Sequence, residues 1–513
     1  MTRPAASFSI LFPSPEMGPG RHRQGWPPSL HDLNLDQVLE AIVRSRAEYG
    51  LAPFLHTLLP DERSVAYRHA VFRDLESGLS EPVEEFAAQM GRMRSHLAAA
   101  GQRDHPYEKA SWLLGAGEIY CEAVTALRDA VARAHPASDG LRRCGEHLDG
   151  YVRSEGFTRL SAETSRLIGE LGRLRYSVRV RGGRVWVRDH AGEPDYSAQV
   201  LETFLKFRTG DVQSRLVEFR HDFQNHVQQM IVDRLALLHP DLFASLLSYQ
   251  RDHTDLVDPQ IARFDREVQL YLAYLALIDP IRKAGLRFCY PEVSSRSKEV
   301  HASDTFDLAL ARKLVGEGGP VVANDADLGG AERIAVISGP NQGGKTTFAR
   351  AFGQIHYLAA LGFPVPGAAA RLPLCDGVLT HFAEREQVED LHSGLEAELR
   401  RVREMLDRAT PRSVVVMNES FASTTSDDQL FLGREIIGRL IDLDLLGVYV
   451  TFIDELSRLG PAVVSMVSMV RPDDSAQRTF KVVRRAADGR AYALVLARAH
   501  GLTYEAITSR VRP

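Results

Sequence analysis

The sequence predicts an α/β domain in its C-terminal part, preceded by a mostly α-helical region that contains one small β-hairpin. Three observations carry this. After about residue 290, short apolar runs such as Ile334–Ile337, Val414–Met417 and Leu446–Val450 alternate with helical stretches. Runs of that length fit strands buried on both faces of a parallel sheet. Before that point apolar residues recur mainly at helical spacing. Between these textures, residues 176–188 alternate with period two about a Gly-Gly pair, which is a hairpin signal.

The chain has 513 residues, a prior of about three domains at roughly 150 residues each. It carries 62 Lys+Arg against 67 Asp+Glu, a net charge of -5, with 44% hydrophobic residues. That balance excludes wholesale disorder and a collagen-like fibre. It leaves nucleic-acid binding open, because an acidic average can hide a basic surface. Cys121, Cys144, Cys289 and Cys375 are scattered, with no CxxC pair, and read as isolated thiols in a reducing compartment. The apolar stretch at residues 8–12 ends at Pro13 and Pro15 and is too short for a signal h-region. No run approaches the roughly 18 apolar residues of a membrane helix. The expectation is a cytoplasmic protein.

Residues 1–28 are rich in Pro and Gly and read as a flexible leader. Residues 29–287 read as a helical core and lever region. Asn34 or Asp32 can cap a helix with Leu35, Val38 and Ile42 on one face. Amphipathic segments follow at about 62–78, 81–100, 107–135 and 158–174. The hairpin at 176–188 carries Arg179, Arg181, Arg184 and Arg188. These suit either a phosphate-contacting finger or an edge hairpin kept soluble by charge. Residues 197–285 return to helix. Ile261, Phe264, Val268, Tyr271, Leu275 and Ile278 follow heptad spacing and predict a narrow packing seam. His221 and His226 are five apart, roughly 140° round a helix, so they cannot share a metal as an i,i+4 pair could.

The sharpest signal lies in the last unit, residues 288–513. Gly339-Pro340-Asn341-Gln342-Gly343-Gly344-Lys345-Thr346 satisfies G-x-x-x-x-G-K-[ST] between a predicted strand and a predicted helix that begins at Thr347. Glycines let such a loop wrap a phosphate, and backbone N–H groups with the helix N-terminus supply positive potential. Lys345 suits the β- and γ-phosphates of ATP, and the Thr346 hydroxyl suits Mg²⁺. This predicts a P-loop NTPase. The run Ser413–Glu419 supplies the expected second strand, with Glu419 placed to activate water and Asn418 as a neutral metal ligand.

These stretches resemble the ATPase domain of MutS-type mismatch-repair proteins. The loop matches that family's Gly-Pro-Asn-x-Gly-Gly-Lys-[Ser/Thr]-Thr, and Gly362-Phe-Pro-Val365-Pro366 matches the Val-Pro that follows. Asn418–Asp428 sits where the family has Asp-Glu-x-Gly-Arg-Gly-Thr-Ser-x-x-Asp. Thr451–Leu456 sits where it has Thr-His-x-x-Glu-Leu, and Tyr492, Ala497 and Gly501-Leu502 resemble its ending. The likeness covers about 288–508. The resemblance implies an ATP- and Mg²⁺-dependent ATPase that acts as a homodimer, closes on nucleotide and clamps DNA, in mismatch repair or recombination. It implies a role for Ser393 at the γ-phosphate of a partner subunit. The length, and the lack of Phe-x-Glu before Phe382-Ala-Glu384, predict that no mismatch-reading domain is present. Departures are Asn418 for Asp, Phe452 for His, Val321 for an adenine-stacking Phe, and Ala422-Ser423 for Arg-Gly. They predict slow hydrolysis. The alternative is a nucleotide-switched protein scaffold that does not read mismatches.

Overall fold

A computed structural model describes residues 7–14, 16–19, 25–181, 184–192, 226–383, 394–422, 424–470 and 478–487, with single positions 502, 504 and 508. Ser393, His221, Ser423, Tyr492, Ala497 and Gly501 lie outside the described residues. Among the described residues no helix is long and apolar enough to cross a membrane. The chain divides into two compact units. One comprises 1–6, 78–135 and 145–265, the other 7–77, 136–144 and 266–513.

The first unit is helical. Ser80–Gly101 and Pro106–Ala134 pack together, and Glu155–Arg173 and Pro240–Asp252 pack on the second of them. The crossing depends on one glycine. A Cβ at Gly117 would lie 2.0 Å from the Tyr249 hydroxyl. That hydroxyl instead reaches Thr164 Oγ1 at 2.8 Å, so three helices meet without a polar orphan. Tyr176–Arg181 and Arg184–Asp189 pair as antiparallel strands.

The second unit holds a six-stranded sheet. Its order is Val378–Phe382, Val414–Asn418, Leu446–Val450, Ile334–Ser338, Val463–Val470, Arg478–Arg484. The first five strands are mutually parallel and the last is antiparallel. Ile334–Ser338 and Leu446–Val450 are buried at every position, as strands covered on both faces must be. A four-stranded sheet of Glu292–Ser294, Ala369–Pro373, Val300–Thr305 and Asn324–Leu328 lies in the same unit.

The structure differs from the sequence expectations at three places. The described part of the N-terminal segment is not a loose leader, since Phe8, Ile10, Leu11 and Phe12 are all buried. Glu267 accepts hydrogen bonds from Ser9 Oγ at 2.8 Å and from the Ile10 N–H at 2.8 Å. Arg68, itself buried, donates to the Leu11 carbonyl and to the Leu361 carbonyl at the end of the helix Lys345–Ala360. The Pro and Gly composition hid four apolar anchors. The helix Pro259–Lys283 is more than a narrow seam, because Leu270, Leu272, Ala273 and Tyr274 are buried alongside Val268 and Tyr271 while Leu275 is half-buried. Finally, Leu35–Ser45 is a helix with Leu35, Val38, Leu39 and Ile42 buried, but neither expected cap works. Asn34 is left-handed and makes no side-chain cap bond, and Asp32 Oδ2 accepts from Thr380 Oγ1.

Candidate functional site

The buried strand Ile334–Ser338 delivers the chain to Gly339, whose φ of 119° only glycine adopts readily. A Cβ there would meet the Ser468 carbonyl at 2.9 Å. Ser468 lies on the neighbouring strand Val463–Val470, fully buried, and donates from Oγ to the Gly343 carbonyl at 2.6 Å. It fixes the loop from beneath. Gly344, with φ 94°, caps the helix Lys345–Ala360. The loop's N–H groups and helix N-terminus therefore open onto one cavity of about 380 Å³, which is enough for a nucleotide-sized ligand.

Lys345 is 4% exposed. Its Nζ donates to the carbonyls of Gly339 at 2.9 Å and Pro340 at 3.1 Å, and lies over the Phe452 ring. Burial lowers its pKa to about 8, while Glu419 opposes the shift. Thr346 Oγ1 donates to Asn418 Oδ1 at 2.9 Å, so the start of the loop helix touches the end of the strand Val414–Asn418. Glu419 follows, with φ 52° and its N–H donating to the Val450 carbonyl. Gln342, Gly343, Gly344, Lys345, Thr346, Thr347 and Glu419 all line the cavity. Gly339, Pro340 and Asn341 form the loop behind it. The hydroxyl of Thr346 and the amide oxygen of Asn418 are hard, neutral donors. They suit Mg²⁺ that takes its remaining ligands from phosphate and water.

The cavity also has walls that motif reading missed. Leu310, Leu314, Pro320, Val321, Val322 and Phe480 give it an apolar lining. Asn324 donates to the Phe480 carbonyl and accepts from the Val482 N–H. Asp307 also lines the cavity, accepting from Gln354 Nε2 at 2.8 Å and from the Leu310 N–H. Burial raises its carboxyl above the ordinary aspartate range. Among the described residues, Gln342, Glu419 and Phe480 are three of eight non-glycine positions with positive φ, and all three line this cavity. Backbone strain of that kind concentrates where structure serves function.

Residues 335–511 match the family model of MutS domain V. Over that segment the chain is similar to the MutS family. It is 30% identical over 195 residues to the DNA mismatch repair protein MutS of Shouchella clausii, covering 37% of this chain and 22% of that protein. It is 31% identical over 188 residues to Endonuclease MutS2 of Gemmatimonas aurantiaca, covering 36% and 23%. Against Endonuclease MutS2 of Thermus thermophilus it is 29% identical over 214 residues, covering 39% and 29%. The match thus spans less than a third of each of these relatives. Arg179, Arg181, Arg184 and Arg188 belong to the other compact unit, where all four are exposed on the hairpin.

Proposed function

We propose that this chain is a MutS-like ATPase that binds and hydrolyses ATP with Mg²⁺, closes as a homodimer through its ATPase domains, and clamps DNA. The observation that carries the reading is the convergence of Lys345, Thr346 and Glu419 on one cavity lined also by apolar side chains, with Asn418 hydrogen-bonded to Thr346 beside it. ATP would enter with its base against Leu310, Leu314 and Val321 and its phosphates against the loop N–H groups. Lys345 would exchange the carbonyls of Gly339 and Pro340 for phosphate oxygens. Thr346 and Asn418 would hold Mg²⁺, which neutralises phosphate charge when bound. Glu419 would take a proton from water as the water oxygen bonds to the γ-phosphorus. The bond from that phosphorus to the bridging oxygen then breaks, and ADP and phosphate leave.

DNA contact falls to the arginines at 179, 181, 184 and 188, mainly through phosphates and therefore salt-dependent. Two experiments test the reading. Band-shift titration against linear, mismatched and branched DNA, with and without ATP at two salt concentrations, checks the clamp. Absence of binding at low salt points instead to a nucleotide-switched scaffold. Light scattering of Glu419→Gln with ATP checks the dimer, and a monomer under those conditions ends the shared-site mechanism.

A further inference from the structure

The hairpin register sorts its side chains onto two faces. Arg179 pairs with Trp186, Arg181 with Arg184, and Ser177 with Arg188. Directly opposed residues share a face, and so do residues two apart along a strand. Trp186 and the four arginines therefore lie on one side, and Tyr176, Val178 and Val187 on the other. Trp186 is 46% exposed, which is unusual for so large an apolar side chain. Local charge is equally unusual. Arg173, Arg175, Arg179, Arg181, Arg184 and Arg188 fall between Glu170 and Asp189 with no acid among them, in a chain of net charge -5.

A basic face alone fits any polyanion. An exposed indole centred among guanidinium groups fits one better than others, because single-stranded nucleic acid offers phosphates beside unstacked bases. A duplex keeps its bases stacked and offers this face only phosphates. We infer that the hairpin face is a binding site for an unpaired stretch of DNA, with a base stacked on Trp186 and phosphates held by Arg179, Arg181 and Arg184. This rests on the DNA reading above and narrows it to strands with unpaired bases, such as gaps, flaps or junction arms.

The test uses the full chain with Trp26 and Trp112 changed to Phe, leaving Trp186 as the single reporter. End-labelled oligo(dT) is compared with labelled blunt duplex and with poly-glutamate as competitor, following indole fluorescence where Trp186 is present and the anisotropy of the label in every variant. The inference expects quenching with oligo(dT) and roughly tenfold weaker oligo(dT) binding after Trp186→Ala, with Trp186→Phe retaining most affinity. The triple variant Arg179→Gln, Arg181→Gln, Arg184→Gln should lower the slope of log Kd against log salt by about two, at about 0.7 per phosphate. Nucleotide binding and thermal unfolding of each variant report whether it is folded. Duplex binding that ignores every hairpin substitution overturns this site while leaving the DNA reading intact. No binding of any DNA defeats both. Equal affinity for poly-glutamate, or no loss in Trp186→Ala, reduces the face to a charge patch and also overturns it.

Discussion

The ammonium of Lys345 lies 4.1 Å from the centroid of the Phe452 ring. Phe452 is 49% exposed, one residue after Thr451, whose N–H donates to the Ile337 carbonyl. The ring and two loop carbonyls hold the charge that an incoming phosphate must recruit. A cation–π contact of this kind is worth about 0.5–2 kcal/mol. Removing it with Phe452→Ala weakens the competitor of phosphate. Nucleotide affinity should rise by about three- to tenfold, measured with a fluorescent ATP analogue. Unchanged or weaker binding would show that the ring supports the bound state.

The same lysine sets a pH dependence. Its pKa of about 8 lies below the ordinary 10.5, and burial is the main cause. The protonated form binds phosphate. Affinity should therefore be level below about pH 8 and fall as pH rises through it, with proton uptake on binding. Calorimetry at pH 8.7 in two buffers of different ionisation enthalpy reads that uptake directly, and identical heats would contradict it.

Asn418 should limit the metal. Its amide oxygen sits where a charged ligand would be stronger, 2.9 Å from the Thr346 hydroxyl. Asn418→Asp should lower the Mg²⁺ concentration for half-maximal ATPase activity several-fold. It should also weaken metal-free ATP binding, because it adds a like charge beside phosphate. If both quantities stay put, Asn418 does not face the metal.

Acid should destabilise the unit that carries the cavity. Burial lowers the pKa of His69, His356 and His381 to about 4, against 6.5 when free. The Nε2 atoms of all three are buried without a hydrogen-bond partner. A depressed pKa means that the unfolded chain binds more protons. This stability is complete above about pH 6.5 and is lost as pH falls towards 4. Urea midpoints at pH 7.5 and pH 5.5 should differ accordingly, and His356→Gln should flatten that dependence.

The N-terminal segment should be indispensable to the same unit. Deleting residues 1–13 removes four buried apolar side chains, at about 1.5–3 kcal/mol each, together with the hydrogen bonds that Ser9 and Ile10 give Glu267 and one of the two carbonyls that Arg68 reaches. The truncated chain should unfold at a markedly lower temperature or fail to accumulate. An unchanged melting temperature would refute the anchoring.

Much of the site was legible because its chemistry is contiguous. Gly339–Thr346 and Asn418-Glu419 are local patterns, and local patterns survive without knowledge of topology. Ser468, Phe480 and Asp307 were not legible, because strand register and helix placement bring them to the loop from far along the chain. The segment at residues 8–12 was misread for a related reason. Flanking prolines and glycines signal irregular backbone, and irregular backbone can still be buried when a carboxylate and a guanidinium meet its polar groups. The wide burial of Pro259–Lys283 was hidden because heptad spacing marks one face and says nothing of the others.

The central claim is that Glu419 activates water for an ATP held by Lys345. Single-turnover hydrolysis with purified chain and its Glu419→Gln variant, alongside direct ATP binding, tests it most directly. The unaltered chain should hydrolyse ATP slowly, and Glu419→Gln should retain ATP binding with hydrolysis at least about 100-fold slower. Hydrolysis by Glu419→Gln at the unaltered rate, or no ATP binding by the unaltered chain, would contradict it.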